Sequence, residues 1–201
     1  MCIRDRGETL ITGIGQGYTQ TTPLQLCLMT AQIANGGYKI SPKIIVNNKP
    51  LNFLEAKKNM ELRSSIDPNL QLIKDKKNLE IVQKAMFSST NEIRGTSYRS
   101  RIDDPKYQFA GKTGTAQVKR ISKRERELDL KTEQIPYNDR DHALYIAYGP
   151  YVNPRYAISI IVEHGGSGSK AAAPMAKELF KLIVDRDGLR EKQSNFEAID
   201  I

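Results

Sequence analysis

The stretch from Tyr107 to Val118 constrains the fold of this 201-residue chain more than any other. Its aromatic and β-branched residues predict a β-strand that contains two glycines, Gly111 and Gly114. A glycine inside a strand commonly marks a place where another group approaches the backbone closely, and we expect that group to be a substrate. The stretch therefore predicts a strand along one wall of a binding site.

Four consecutive residues of this strand carry groups suited to an anionic ligand. Lys112 supplies a fixed positive charge, and the hydroxyls of Thr113 and Thr115 can donate hydrogen bonds to a carboxylate. Gly114 has no side chain that would keep a ligand away from the main chain. Because a bare Lys-Thr-Gly also occurs in plain turns, the longer string at 111–118 in a predicted strand is the stronger signal.

The rest of the chain supplies elements that would surround this strand. Strand-like runs at 143–148 and 156–162 are separated by turn residues, a pattern typical of an antiparallel hairpin. Helices are predicted over 23–34, 76–88 and 171–184. The expected fold class is α+β, with an antiparallel sheet packed against helices.

The first and last helices carry more specific predictions. Thr22 as N-cap, Pro23 at the first helical position and Gln25 in a capping box define the start of the first helix. Apolar side chains lie nearly all round it, which predicts a buried helix that ends at the Asn-Gly-Gly of 35–37. The predicted inner face of the last helix consists of Met175, Leu179, Leu182 and Ile183.

Several segments are interpreted as having little function. Residues 1–6 have neither a helix cap nor a hydrophobic periodicity and are interpreted as non-native. Residues 46–74 are interpreted as a surface excursion, and residues 119–140 are interpreted as a solvated loop. The tail at 186–201 is expected to be frayed. The glycines at 13–17 are spaced Gly-x-Gly-x-Gly rather than Gly-x-Gly-x-x-Gly, so we favour a tight turn leading into a packed helix over a phosphate site.

The composition is globular, with 39% hydrophobic residues and a net charge of +8. Basic residues are interleaved with acidic ones rather than gathered in a stripe, so nucleic-acid binding is a minor hypothesis and no nucleic-acid partner is expected. Cys2 and Cys27 are not spaced for a metal site, and no metal or cofactor is expected. Cys27 is read as a small buried hydrophobe. No apolar run approaches the length of a membrane span.

The motifs, taken in order, resemble those of class B penicillin-binding proteins, and in particular the penicillin-binding protein 2 subfamily. They lie at Gly13–Gly17, Thr22–Gln25, Ala34–Gly37, Gly95–Thr96, Gly111–Ala116 and His164–Gly168. The resemblance implies that 7–185 is the C-terminal part of a penicillin-binding transpeptidase domain, with a partial serine β-lactamase-like fold.

The resemblance also implies an activity and a location. A serine would attack the D-Ala-D-Ala end of a peptidoglycan stem peptide and pass the acyl group to an amine of a neighbouring peptidoglycan strand. β-Lactams would be trapped as esters. The implied partners are stem peptides, β-lactams and a membrane protein that polymerises glycan. The implied location is the bacterial cell envelope, with an inner-membrane anchor outside this chain and the domain facing the periplasm.

Roles for the strand residues follow from the same resemblance. Lys112 would assist proton transfer, Thr113 and Thr115 would bind the substrate carboxylate beside Gly114, and the backbone N–H of Thr115 would donate to the oxyanion. Strict alternation along a strand would direct Lys112 and Thr113 to opposite faces, so both reach one groove only if the strand lines it with an edge.

The family's nucleophile is expected upstream of this chain. The formal matches Ser167–Lys170 to Ser-x-x-Lys and Ser89–Asn91 to Ser-x-Asn are interpreted as chance, because both have the wrong position relative to Lys112. His164 is interpreted as a loop-shaping or cleft-rim residue, and His142 is assigned no role. The chain alone is therefore expected to be inactive.

Other functions stay open at this point. A serine β-lactamase or a D,D-carboxypeptidase shares the Lys-Thr-Gly strand, and a non-catalytic β-lactam sensor or scaffold would carry the strand without a competent upstream serine.

Overall fold

The computed structural model describes residues 3–13, 15, 17, 20–42, 70–118, 130 and 132–197. The helices are α1 (Ile3–Gly13), α2 (Pro23–Ala34), α3 (Lys76–Asn91) and α4 (Ala173–Glu197), and the strands are β1 (Ala110–Ala116), β2 (His142–Gly149) and β3 (Tyr156–Val162). A π-helical turn, Gly168–Ala172, leads into α4. Most of the predicted excursion at 46–74 and about half of the predicted loop at 119–140 lie outside the described residues.

The three strands form one antiparallel sheet in the order β1-β2-β3. Lys112 of β1 pairs with Ile146 of β2, and Ala147 of β2 pairs with Ile158 of β3. The predicted hairpin and the α+β class are therefore confirmed. Among the described residues β1 pairs with β2 alone, so within this part of the chain its other side is an edge of the sheet, and this edge borders the site described below.

Side chains of β2 alternate between the two faces of the sheet, as expected for a strand. Ala143 and Tyr145 point toward α4, where Phe109 stacks on Phe180 with ring centroids 4.9 Å apart. The opposite face packs against α2 and α3 around the buried side chain of Tyr148. The sheet is thus the shared layer between two hydrophobic clusters.

The predicted start of α2 is confirmed, but its predicted burial is wrong. Thr22 accepts from Gln25 N–H at 3.2 Å, and the Gln25 side chain accepts from Thr22 N–H at 2.8 Å, which completes the capping box. Thr30 is the buried residue of this helix, whereas Leu24 is 62% exposed. One side of α2 packs on β3, and the other side borders an open cavity. Cys27 is accordingly half-buried, with its thiol donating to Ala157 O at 3.3 Å, and burial raises the pKa of that thiol.

The predicted inner face of α4 is also wrong. Ala173, Ala176 and Phe180 are buried against the sheet, whereas Met175 and Leu182 are exposed. Alanine side chains let the helix approach the sheet closely, so the larger residues are left on the outside. The helix also continues to Glu197 rather than fraying after 185, since the added segment is rich in good helix formers such as Arg, Glu and Lys.

The N-terminal residues of the described chain are helical. Ile3–Arg6 form the first part of α1. That residues 1–6 are non-native stays a prediction. Helix α3 also runs beyond its predicted end at Ser88, to Asn91.

Candidate active-site cleft

A cleft of about 1100 Å³ runs along β1 and contains the residues that the sequence singled out. Its walls come from β1, from β2 and β3, and from the segment that joins α1 to α2. The described residues that line it are Ile11, Gly15, Gly17, Gln20, Thr21, Leu26, Lys112, Thr113, Gly114, Thr115, Ala116, Gln117, His142, Leu144, Ile146 and Ile161.

The edge position of β1 explains how neighbouring side chains reach one groove. Lys112 and Thr113 leave the strand on opposite faces, yet both line the cleft because it extends over the open edge of the sheet. The Lys112 ammonium lies 2.8 Å from Thr113 O and 3.4 Å from Thr113 Oγ1. Thr115 is exposed in the same cleft, two residues further along.

The cleft is suited to an anion. Among the described residues that line it, Lys112 is the only Lys, Arg, Asp or Glu. The Thr113 hydroxyl lies 3.4 Å from its ammonium, and Thr115 lines the same cleft. No described carboxylate of the lining competes with a ligand for the ammonium. A carboxylate could therefore accept charge-assisted and hydroxyl hydrogen bonds at this position.

The two strand glycines have different neighbours. Gly114 lines the cleft, where its missing side chain leaves the backbone open to a ligand. At Gly111 the approaching group is not a substrate, because a Cβ there would lie 2.3 Å from the hydroxyl of Tyr145. The expectation that a substrate requires both glycines is thus wrong for Gly111.

The turn at 13–17 contributes more to the cleft than its sequence indicated. Gly15 and Gly17 line the cleft on the side that α1 and α2 provide, together with Thr21. The turn was predicted only to lead into a helix. Its glycine spacing gave no sign of this position, because the contact depends on how residues distant in sequence fold together.

His142 is a cleft residue that the sequence reading missed. It lies opposite Ala116 at the end of β1, and its ring lines the cleft. The backbone N–H of His164 donates to His142 Nδ1 at 2.9 Å, and His164 Nδ1 donates to the Arg140 carbonyl at 3.0 Å. His164 thus shapes the loop, as predicted, and it does so at a positive φ of 55°. The β1–β2 register is the signal that could have identified His142.

A smaller cavity of about 570 Å³ adjoins the cleft between α2 and α3. Its lining is mostly apolar and includes Met29, Ile33 and Val82, while Lys112 and Ile146 line both cavities. The Lys112 side chain therefore lies at the boundary between an apolar cavity and the polar strand edge.

The two serines with formal motif matches lie outside the main cleft. Ser167 Oγ is 3.0 Å from Ser169 Oγ in the turn before α4. Ser89 lines the smaller cavity, and its hydroxyl is 3.3 Å from that of Thr96. Neither serine is among the described residues that line the cleft beside Thr113 and Thr115.

Two further observations concern the described part of the chain. It contains no group of three or more His, Cys, Asp or Glu residues that could hold a metal ion. No helix within the described ranges has both the length and the apolar character needed to cross a membrane.

The fold and the cleft together define a class of protein. Residues 6–181 match the penicillin binding protein transpeptidase domain, so the chain belongs to that family. The predicted resemblance to class B penicillin-binding proteins, and to penicillin-binding protein 2 among them, is confirmed by the relatives.

The chain is 33% identical over 180 residues to the peptidoglycan D,D-transpeptidase MrdA of Salmonella typhimurium (strain SL1344). Two solved structures are also similar, each at 33% identity. The complex of penicillin-binding protein PBP2 with MreC from Helicobacter pylori matches with a TM-score of 0.64, and the match covers 89% of this chain and 28% of that chain. Pseudomonas aeruginosa PBP2 in complex with WCK 5153 matches with a TM-score of 0.61, and the match covers 88% of this chain and 33% of that chain.

The coverage of the relatives is unequal on the two sides. The alignment with the Salmonella protein covers 90% of this chain but 27% of that protein. The chain thus spans about a quarter of the length of the curated relatives that it matches.

Proposed function

We propose that this chain is the C-terminal part, over 7–185, of the transpeptidase domain of a peptidoglycan D,D-transpeptidase. The observation that carries the proposal is the cleft along the edge of β1. Its only formal charge among the described lining residues is Lys112, the Thr113 hydroxyl lies beside that charge, and Thr115 lines the same cleft. This arrangement suits a substrate that ends in a carboxylate, as a D-Ala-D-Ala stem peptide does.

The strand residues would contribute in distinct ways. Lys112 would hold positive charge beside the serine of the family's Ser-x-Asn motif and would help its proton transfer. Its position at the boundary of the two cavities leaves it accessible from both sides. Thr113 and Thr115 would bind the substrate carboxylate, and Gly114 would allow the peptide to lie against the strand. The backbone N–H of Thr115 would stabilise the oxyanion, a contribution typically equal to about 10²–10³ in rate.

The reaction also needs a nucleophile, which we place in a segment upstream of this chain. The serine Oγ would attack the carbonyl of the penultimate D-Ala, the C–N bond would break, and the leaving D-Ala amine would take up the proton. The acyl group would then pass to an amine of a neighbouring peptidoglycan strand. A β-lactam would react in the first step and stay bound as an ester.

Partners and location follow from the same proposal. The substrates would be peptidoglycan stem peptides, and β-lactams would be inhibitors, in line with the penicillin-binding family. The Helicobacter pylori relative forms a complex with MreC. We extend an assembly at the cell envelope to the full-length protein. Its partner would be a membrane protein that polymerises glycan. The full-length protein would be anchored in the bacterial inner membrane, with this domain in the periplasm.

The test is labelling by a fluorescent penicillin. The full-length protein should be labelled, and Lys112→Met should lower the labelling rate by at least about a hundredfold, since it removes the cleft's positive charge. Lys84→Met is the matched control, because Lys84 is an exposed lysine of α3 outside both cavities. It should label at the wild-type rate.

The 201-residue chain alone should stay unlabelled. Labelling of this chain at Ser167 or Ser89 would contradict the proposal, as would a full-length protein that penicillin does not label. The fate of the acyl group separates the remaining activities. Transfer of the acyl group to an added amine supports a transpeptidase. Release of the acyl group to water alone supports a carboxypeptidase or a β-lactamase. Labelling without turnover of any stem peptide supports a sensor.

A further inference from the structure

A row of hydroxyls leads from the end of α3 to the anion-binding strand. Ser89 Oγ lies 3.3 Å from Thr96 Oγ1, and Thr96 Oγ1 lies 3.2 Å from Thr113 Oγ1. The Lys112 ammonium is 3.4 Å from the same Thr113 oxygen. Thr96 is therefore the residue that connects a helix terminus to a cleft hydroxyl.

The position of Thr96 is fixed by the tight packing of the turn that carries it. A Cβ on Gly95 would lie 2.3 Å from the Ser89 carbonyl oxygen, so the turn at 92–97 fits against the end of α3 only with glycine at this position. Ser97 then donates its backbone N–H and its hydroxyl to the Ser89 carbonyl, each at 3.0 Å. Because Ser97 is buried, these bonds hold the neighbouring Thr96 in place.

The donors and acceptors in this row determine where its last hydrogen points. A hydroxyl has one hydrogen and two lone pairs, and an ammonium can only donate. Lys112 therefore fills one lone pair of Thr113 Oγ1. If Ser89 donates to Thr96 and Thr96 donates to Thr113, the second lone pair is also filled. The single hydrogen of Thr113 is then free for an acceptor in the cleft.

We propose that Thr96 is a positioning residue that directs the Thr113 hydroxyl toward the carboxylate of the substrate or of a β-lactam. This inference rests on the proposed function and adds to it the residue that sets the orientation of the donor. Successive hydroxyls that donate in one direction also polarise each other, which strengthens the last hydrogen bond in the row. Thr96 acts through Thr113 and does not itself contact the ligand.

The experiment compares two probes on the full-length protein. One is benzylpenicillin and the other is its methyl ester, which lacks the negative charge that Thr113 would bind. Thr96→Val removes the hydroxyl at nearly constant shape and should lower the acylation rate of the acid about fivefold, the effect of one hydrogen bond, with little change for the ester. Thr96→Ser keeps the hydroxyl and should retain the wild-type ratio of the two rates.

A double substitution shows whether Thr96 acts through Thr113. Thr96→Val should cause no further loss of acid selectivity in a Thr113→Val background, because the hydroxyl that it directs is already gone. If a lowered thermal midpoint shows that Thr96→Val is poorly folded, Ser89→Ala is used as the test variant instead. Ser89→Ala removes the first donor of the row and should shift the acid-to-ester ratio of acylation rates in the same direction.

The outcomes separate this inference from the proposed function. A wild-type protein that reacts with benzylpenicillin, combined with an unchanged acid-to-ester ratio in Thr96→Val or Ser89→Ala, overturns the inference alone. Equal losses for acid and ester also overturn it, because they indicate a structural role. A wild-type protein that does not react overturns the proposed function and the inference with it.

Discussion

At the scale of single residues, Gly111 shows how tightly β1 is packed against the core. The hydroxyl of Tyr145 lies directly beneath it and is held by Thr90 at 2.9 Å and by Ser97 at 3.1 Å. Tyr145 is 0% exposed, so its ring has no free space into which it could move. A side chain at Gly111 would thus displace a hydrogen-bonded group in the centre of the molecule.

We predict that Gly111→Ala destabilises the chain by about 3 kcal/mol, as overpacking of a core does. The matched control is Gly114→Ala, where the nearest atom to a Cβ would be Leu144 Cβ at 3.3 Å. This change should cost less than about 1 kcal/mol. Urea denaturation of both variants measures the difference, and similar losses of stability would contradict the packing described for Tyr145.

The residues of the cleft were predictable from the sequence to different degrees. Lys112, Thr113 and Thr115 could be identified because their functional groups are adjacent in one short string. His142 could not, since it has no motif of its own, and the Gly95–Thr96 motif gave no indication of the contacts that Thr96 makes with Ser89 and Thr113. The positions of His142 and Thr96 depend on the β1–β2 register and on a turn that packs back onto α3, and both become visible only when the chain is folded.

At the scale of elements, the sequence located the helices better than it oriented them. Capping residues are local signals, and they placed the start of α2 correctly. Periodicity alone assigned the largest apolar side chains of α4 to its inner face, whereas the helix contacts the sheet through Ala173, Ala176 and Phe180. Close approach of a helix favours small residues at the contact, and a count of hydrophobic positions does not include this effect.

A pair of large-to-small substitutions tests the orientation of α4. Phe180 is 1% exposed and stacks on Phe109, so Phe180→Ala should cost about 3–5 kcal/mol. Leu182 is 67% exposed, and Leu182→Ala should stay within about 0.5 kcal/mol of wild type. Urea denaturation of the 201-residue chain provides both values. A greater loss for Leu182→Ala than for Phe180→Ala would show that the helix is turned as its periodicity indicated.

At the scale of the whole molecule, the sheet separates two clusters that both depend on a buried tyrosine. Tyr145 belongs to the cluster on the α4 side, and Tyr148 belongs to the cluster formed with α2 and α3. The hairpin that carries them was predictable because its turn is local. The contact of the 13–17 turn with the cleft was not, since it joins segments far apart in the chain.

The buried tyrosines make the stability of the whole molecule sensitive to alkali. Burial raises the pKa of both Tyr145 and Tyr148 above the ordinary value of 10.0, and the charge of Tyr151 adds to the effect on Tyr148. An unfolded chain loses these protons near pH 10, whereas the folded chain retains them. The stabilisation is therefore complete below pH 10 and is lost as the pH rises from 10 toward the folded-state pKa values.

We predict that the free energy of unfolding falls above pH 10 by up to about 1.4 kcal/mol per pH unit for each of the two tyrosines. Tyr145→Phe should reduce that slope by the contribution of one proton, although the variant also loses the hydrogen bonds to Thr90 and Ser97 and should be less stable at neutral pH. Tyr137→Phe is the control, because Tyr137 is 59% exposed and its loss should leave the slope unchanged. Urea denaturation at a series of pH values gives the slopes. An equal slope for Tyr145→Phe and wild type would mean that the Tyr145 hydroxyl ionises as freely in the folded chain as in the unfolded one, contrary to its burial beneath β1.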